Sequence, residues 1–128
     1  MIYRVWVKEI NPDIEEEILI QVNNIELICF VTNWNMNVKV GQFYDADIGV
    51  TVLDSLNIEK QADQITCFKQ INGSFAYSIC GKFDYNSHSI DAGIVIEFDL
   101  DEVDLFDYSY LDGKYVSIKV DRISLGFQ

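Results

Sequence analysis

Apolar and polar residues alternate with a period of two along most of the chain. In the clearest example every second residue from Tyr44 to Val52 is apolar, while Asp45, Asp47 and Thr51 lie between them. Successive side chains of a β-strand point to opposite faces, so this pattern predicts a strand with one buried face. Similar alternation or strand-forming composition is found in residues 3–8, 16–22, 25–32, 65–71, 74–80, 94–101 and 116–121.

Turn-forming residues separate these runs. Asn72-Gly73 lies between two apolar runs, which is a strong sequence signal for a β-hairpin, and Asn23-Asn24 is a second two-residue candidate. Asp112-Gly113 precedes the last predicted strand. The chain is therefore expected to fold as short strands joined by tight turns.

Two segments favour a short helix. In residues 53–65, Leu53 and Leu56 would share one helical face. In residues 101–108, Asp101 would be the N-cap, and the spacing predicts Val103, Phe106 and Tyr110 on the inward face. Helical turns are thus a minor part of the predicted structure.

These elements predict an all-β domain, a single small barrel or sandwich of about seven to eight strands with one or two short helical turns. The order of strands and short helix in residues 81–125 resembles the pattern of an OB-like Greek-key barrel. A length of 128 residues, a single proline and the lack of a low-complexity stretch predict one domain, residues 1–128.

The charge balance limits the partners. The chain has 21 acidic and 9 basic residues, a net charge of −12, and 49% apolar residues. Such a surface repels nucleic-acid phosphates and anionic membranes and attracts basic proteins. The alternative is that the acids serve solubility alone. Without a signal-peptide h-region or an apolar run of about 18 residues, the expected location is cytoplasmic.

The residues needed for common catalytic and metal sites are missing or isolated. Cys29, Cys67 and Cys80 form no CxxC pair, which predicts three reduced, buried thiols. His88 is the only histidine, and phosphate-binding loops and a GxSxG motif are absent from the sequence. We therefore expect no enzyme activity, no cofactor and no metal.

The segment EFDLDEVDLFDY, residues 97–108, is the strongest candidate site. It fails the EF-hand pattern, because a loop starting at Asp99 has Val103 at the fifth position. Our hypothesis is that its carboxylates steer a basic partner and that nearby aromatic residues anchor it. The predicted binding residues are Asp99, Asp101, Glu102, Asp104, Asp107, Tyr108, Tyr110 and Trp34. Such a module would be an inhibitor or immunity-type protein that masks a basic partner such as a nuclease toxin.

Other interpretations stay open at this point. The acidic run could be a solvated face that blocks edge-to-edge strand pairing, or a weak cation site where two acidic faces meet. A ligand-binding or structural OB-like barrel is the main functional alternative. Arg4, Trp6 and Lys8 could bind single-stranded nucleic acid, although the net charge of −12 opposes binding to phosphates. A third functional alternative is an enzyme that uses a pair of carboxylates. Separately, exposed edge strands would allow a homodimer.

Overall fold

A computed structural model describes residues 1–34 and 36–128 and confirms the all-β prediction. Its two sheets contain eleven strands in this part of the chain, more than the seven or eight predicted. The strands are β1 (Ile2–Ile10), β2 (Glu17–Val22), β3 (Ile25–Asn33), β4 (Phe43–Thr51), β5 (Ile58–Lys60), β6 (Cys67–Gln70), β7 (Tyr77–Asp84), β8 (Ser89–Asp91), β9 (Val95–Glu97), β10 (Tyr115–Val120) and β11 (Arg122–Phe127). One 3-10 helix spans Phe106–Leu111.

Five strands form a ring, here called the closed sheet, in the order β1-β2-β3-β11-β4. The long strand β1 closes it, since Ile2–Trp6 pair with β4 and Trp6–Ile10 pair with β2. The pairing with β2 is irregular between Val7 and Glu9, just after the change of partner at Trp6. Strand β11 is parallel to β3 and antiparallel to β4.

The segment between β4 and β11 forms the second sheet, here called the open sheet. Its order is β5-β10-β7-β8-β9, and β6 also pairs with β7. The acidic run and the 3-10 helix lie between β9 and β10, and therefore belong to this insertion.

The hydrophobic core contains side chains of both sheets. Alternate residues of the closed sheet, such as Val5 and Ile20, are fully buried together with Ile79 and Ile96 of the open sheet. Two tyrosines also connect the sheets through hydrogen bonds. The Tyr77 hydroxyl accepts the Ile28 N–H at 2.8 Å, and the Tyr3 hydroxyl accepts the Val95 N–H at 2.7 Å.

The two-residue turn at Asn23-Asn24 is confirmed, whereas Asn72-Gly73 lies in a longer connection of residues 71–76 between its two strands. Asn23 and Asn24 have φ values of 47° and 65° and join β2 to β3. Asn72 and Gly73 have φ values of 52° and 65° and lie between β6 and β7. Asparagine and glycine tolerate positive φ better than other residues, which explains their use at these positions.

The helix expected in residues 53–65 was wrong. This segment contains β5, which pairs with the edge of β10. A three-residue strand is too short to show a period, so the spacing of Leu53 and Leu56 gave a false helical signal. Leu56 is buried, whereas Leu53 is 70% exposed.

The second helix prediction was correct in kind but wrong in detail. The helix begins after Leu105 rather than at Asp101, and it is a 3-10 helix. Because a 3-10 helix has three residues per turn, Leu105, Tyr108 and Leu111 share its inner face. Phe106 and Tyr110, predicted to face inward from the α-helical period, are 77% and 68% exposed. The strand expected over residues 94–101 is limited to β9.

Candidate functional site

The acidic segment, defined here as residues 97–107, folds as tight turns after β9. The Asp99 carboxylate accepts the Asp101 N–H at 2.9 Å, and the Asp99 carbonyl accepts the Glu102 N–H at 3.0 Å. The Asp104 carboxylate accepts the Phe106 N–H at 2.9 Å, immediately before the 3-10 helix. Two of the five predicted steering carboxylates thus also hold the local backbone.

Within the described residues, no acid of this segment forms an ion pair with a basic group. The ion pairs found there join the N-terminal amine to Asp47, Arg4 to Asp45 and Lys8 to Glu26. Asp101, Glu102 and Asp107 are exposed. Their charges are therefore not neutralised by basic groups in this part of the molecule.

Acids from two other parts of the chain lie beside the segment. One groove is lined by Asp47 of β4 together with Glu97, Asp99 and Glu102. An adjoining groove is lined by Asp54, Asp104 and Asp107, and again by Glu102. Because Glu102 lines both grooves, these carboxylates form one continuous acidic surface in which acids outnumber the two positive groups, Arg122 and the N-terminal amine paired with Asp47. Asp45, two residues before Asp47 on β4, pairs with Arg4 at 3.4 Å.

Exposed apolar side chains interrupt this surface. Leu100 is 49% exposed, and with Phe106 it lines a cavity of about 220 Å³. Val103, Tyr85, Leu105, His88 and Asp104 complete the lining. The His88 Nδ1 atom is buried and has no hydrogen-bond partner among the described residues. The cavity thus combines largely apolar walls with the Asp104 side chain.

The three aromatic residues predicted as anchors differ in exposure and packing. Tyr110 is exposed on the 3-10 helix beside the acidic segment. Tyr108 packs against the core, and its hydroxyl donates to the Leu56 carbonyl at 3.1 Å. Trp34 follows β3 and stacks on Phe127 of the closed sheet, with ring centroids 5.7 Å apart. Of the three aromatic residues, Tyr110 therefore has the position that a contact residue in the acidic surface requires.

Sequence reasoning missed Leu100 and Phe106 as candidate contact residues. Leu100 lies directly between two acids, and Phe106 follows Leu105 in the pair enclosed by Asp104 and Asp107. Both spacings are compatible with a strand or an amphipathic helix. An exposed apolar residue between acids is the signal that could have identified them, but its use requires knowing that the segment is neither a strand nor an α-helix.

A second candidate surface lies on the outside of the closed sheet. The Trp6 and Phe43 rings are in edge contact with centroids 4.7 Å apart, and the Arg4 guanidinium lies 5.8 Å from the Phe43 ring. Arg4 and Lys8 each form an ion pair with an acid, Asp45 and Glu26 respectively. The bases beside Trp6 are thus already partly neutralised.

The described residues bring no three His, Cys, Asp or Glu side chains together in an arrangement that could hold a metal ion. The two acidic faces of the cation-site hypothesis are not formed as predicted, because β9 ends at Glu97. The pKa of the Asp84 carboxyl is lowered, chiefly because the Ser87 N–H donates to it. A carboxyl acting as a general acid at neutral pH needs a shift in the opposite direction.

Comparison with known proteins places the chain in a family. Over residues 1–128 the sequence matches the model of the family described as Uncharacterised conserved protein UCP019853. No curated protein matches the chain, and no solved structure matches it. In residues 1–34 and 36–128, every helix falls short of the length and apolar character that crossing a membrane requires.

Proposed function

The chain belongs to this family, and we propose that it is a non-enzymatic, acidic protein-binding module that masks a basic partner in the cytoplasm. Its concrete form would be an inhibitor or immunity-type protein that covers the basic surface of a nuclease toxin or a similar protein. The observation that carries the proposal is the group of exposed apolar side chains, Leu100, Phe106 and Tyr110, beside carboxylates that form no ion pair within the described residues. Apolar anchors within a charged surface are typical of protein interfaces.

The carboxylates would act mainly on the rate of association. A surface that collects acids from β4, the loop after it and the acidic segment gives a strong local field. Complementary fields steer diffusing proteins together and raise the association rate at low salt. Asp101, Glu102 and Asp107 are the main contributors, since these exposed side chains have no basic partner in the described structure.

The apolar residues would act mainly on the lifetime of the complex. Phe106 stands at the cavity beside Leu100, so a partner side chain entering it would be surrounded by apolar walls. Truncation of a desolvated anchor at an interface typically costs about 2 kcal/mol or more of binding free energy.

The first experiment compares three baits in affinity capture from the source cell, at low and at physiological salt. The first is the native chain, and the second carries Asp101→Asn, Glu102→Gln, Asp104→Asn and Asp107→Asn. Asn at 104 keeps the oxygen that accepts the Phe106 N–H, and Asp99 is left unchanged for its turn. A matched third bait removes the same number of charges from exposed acids elsewhere: Glu9, Asp13, Glu16 and Asp63.

We expect one basic protein to bind the native and the matched bait and to be lost from the acidic-segment variant. The purified pair is then tested kinetically. Charge removal should lower the association rate constant, whereas Phe106→Ala should raise the dissociation rate constant by about tenfold or more. Equal capture by the acidic-segment variant and the matched bait would exclude this surface as the binding site.

We also propose that the closed sheet is an OB-like Greek-key barrel. The support is its strand order, in which the first strand pairs with two neighbours and β11 returns between β3 and β4. Buried side chains such as Val5, Ile20 and Leu27 fill its interior. This packing favours a surface function over a ligand inside the ring.

The second candidate function is single-strand binding at Trp6 and Phe43, whose adjacent rings could stack on bases. The ion pairs of Arg4 and Lys8 and the net charge oppose it. Binding of a single-stranded oligonucleotide at low salt, lost on Trp6→Ala, would favour this function. Absence of such binding would leave the acidic surface as the remaining candidate of the two.

A further inference from the structure

Two of the three thiols face each other across neighbouring strands. Cys67, the first residue of β6, is paired in register with Cys80 of β7. Directly opposite residues of an antiparallel pair have side chains on the same face, with Cβ atoms about 4.5–5.5 Å apart. Both thiols are free, and no disulfide joins them in the structure.

This pair lies outside the hydrophobic core. Ile79 and its neighbour Cys80 point to opposite faces of β7, and Ile79 is the one that belongs to the core cluster. Cys80 is 7% exposed, and the Gln61 side-chain amide donates to its sulfur at 3.6 Å. Cys67 is half-buried. Cys29, by contrast, is fully buried within the core.

We propose that Cys67 and Cys80 are a redox-modification site, where they form a reversible disulfide across β6 and β7. A disulfide requires Cα atoms about 4.4–6.8 Å apart, a range that directly opposite residues of an antiparallel pair satisfy. The bond can therefore form without a change in the strand register. This inference is independent of the acidic surface and of the function proposed for it.

The oxidant that we assign is a small disulfide such as oxidised glutathione. The Cys67 thiolate attacks one of its sulfurs, which forms a mixed disulfide and releases one glutathione thiol. The Cys80 thiolate then attacks the Cys67 sulfur and releases the second. Two electrons pass from the protein to the glutathione disulfide, and the two protein thiol protons are balanced by two glutathione thiols.

Exposure sets the order of these steps. Cys67 is the more accessible thiol, so it meets the oxidant first. Burial, together with the neighbouring Cys67, raises the pKa of Cys80 to about 11. Since the thiolate is the attacking form, closure of the bond should accelerate as the pH rises from 7 toward that value.

The bond would stabilise the β6–β7 hairpin. Strand β6 is hydrogen-bonded to β7, and the disulfide would join the two strands and close the loop formed by residues 68–79. Closing a loop of this size restricts the unfolded chain, which should raise the Tm by roughly 5–10 °C.

The test is oxidation of the folded, full-length chain in glutathione buffers of increasing oxidised fraction, followed by acid quenching, alkylation and tryptic digestion. Cleavage after Lys60, Lys69 and Lys82 places Cys67 and Cys80 on separate peptides, 61–69 and 70–82. We expect these two peptides to become linked, with release of the link by a reductant and the stated rise in Tm.

Three variants make the result specific. Cys29→Ser should form the same linked peptides as the native chain. Cys80→Ser should stop at a mixed disulfide of Cys67 with glutathione, and Cys67→Ser should form no link. The proposal is overturned if the native chain stops at a mixed disulfide or is not oxidised. It is also overturned if Cys29 takes part, or if the link forms only in urea.

Discussion

The Tyr77 hydroxyl accepts a hydrogen bond from one backbone N–H of the neighbouring sheet. Ile28 lies before the residues of β3 that pair with β11, and its N–H donates to the Tyr77 hydroxyl at 2.8 Å. Tyr77→Phe should leave this donor unpaired and lower the free energy of unfolding by about 1–3 kcal/mol. Urea denaturation measures the change. Tyr115→Phe is the matched control, since its hydroxyl has no hydrogen bond within the described residues, and an equal loss there would contradict this role of Tyr77.

The Cys29 thiol should make stability fall at high pH. Burial raises the pKa of this thiol far above its ordinary value of 9.0, so the folded state holds the proton after the unfolded state has released it. The free energy of unfolding is therefore retained below pH 9 and falls above it, by at most about 1.4 kcal/mol per pH unit for one group.

Urea denaturation of native chain and Cys29→Ala, both kept reduced, at pH 7 to 10 measures this slope. The variant should lose less stability per pH unit above 9, whatever its stability at pH 7. A remaining slope is expected, because burial also raises the pKa of Cys80 and Tyr77. Parallel curves for the two proteins would contradict the assignment to Cys29.

At the scale of elements, Gly81 allows the β8 end to approach β7. A Cβ atom at Gly81 would lie 2.3 Å from the Asp91 carbonyl oxygen, which is backbone and cannot move independently. Gly81→Ala should therefore lower the free energy of unfolding by about 2 kcal/mol or more. Gly49→Ala is the control within β4, because nothing lies within 4 Å of its added Cβ. Thermal denaturation of both variants measures the difference. A similar Tm for the two would contradict a close approach of the Asp91 carbonyl to Gly81.

Period and turn chemistry explain which elements the sequence could predict. The long strands of the closed sheet show a period of two, and asparagine turns mark two hairpins. The three-residue strands β5 and β8 are too short for any period, and Asp121 alone separates β10 from β11. A helix with three residues per turn reversed the expected exposure of Phe106 and Tyr108. Local sequence patterns were therefore reliable only where an element spanned several repeats.

The candidate site depends on contacts that no local pattern contains. Its acidic character could be predicted, but Asp47 and Asp54 join the acidic surface only because the open sheet packs beside β4. The Cys67–Cys80 pair depends on hairpin register in the same way. A two-residue loop at Asn72-Gly73 would pair Cys67 with Ser78, whereas the observed connection of residues 71–76 pairs it with Cys80. One unknown loop length is enough to hide such a pair from sequence analysis.

For the whole molecule, a net charge of −12 should oppose folding in the absence of a basic partner. Salt screens this repulsion, since the Debye length falls from about 30 Å at 0.01 M to about 8 Å at 0.15 M. We therefore expect the Tm of the native chain to rise over this range of NaCl. The acidic-segment variant should show a smaller rise than the matched variant with four dispersed charges removed, because repulsion is strongest between neighbouring carboxylates. Equal salt effects would mean that the acidic surface carries no special repulsion. If removing the acidic-segment charges reduces the salt-dependent rise in Tm more than removing the dispersed charges does, the free protein holds unfavourable charge at that segment. Binding of a basic partner would relieve this repulsion.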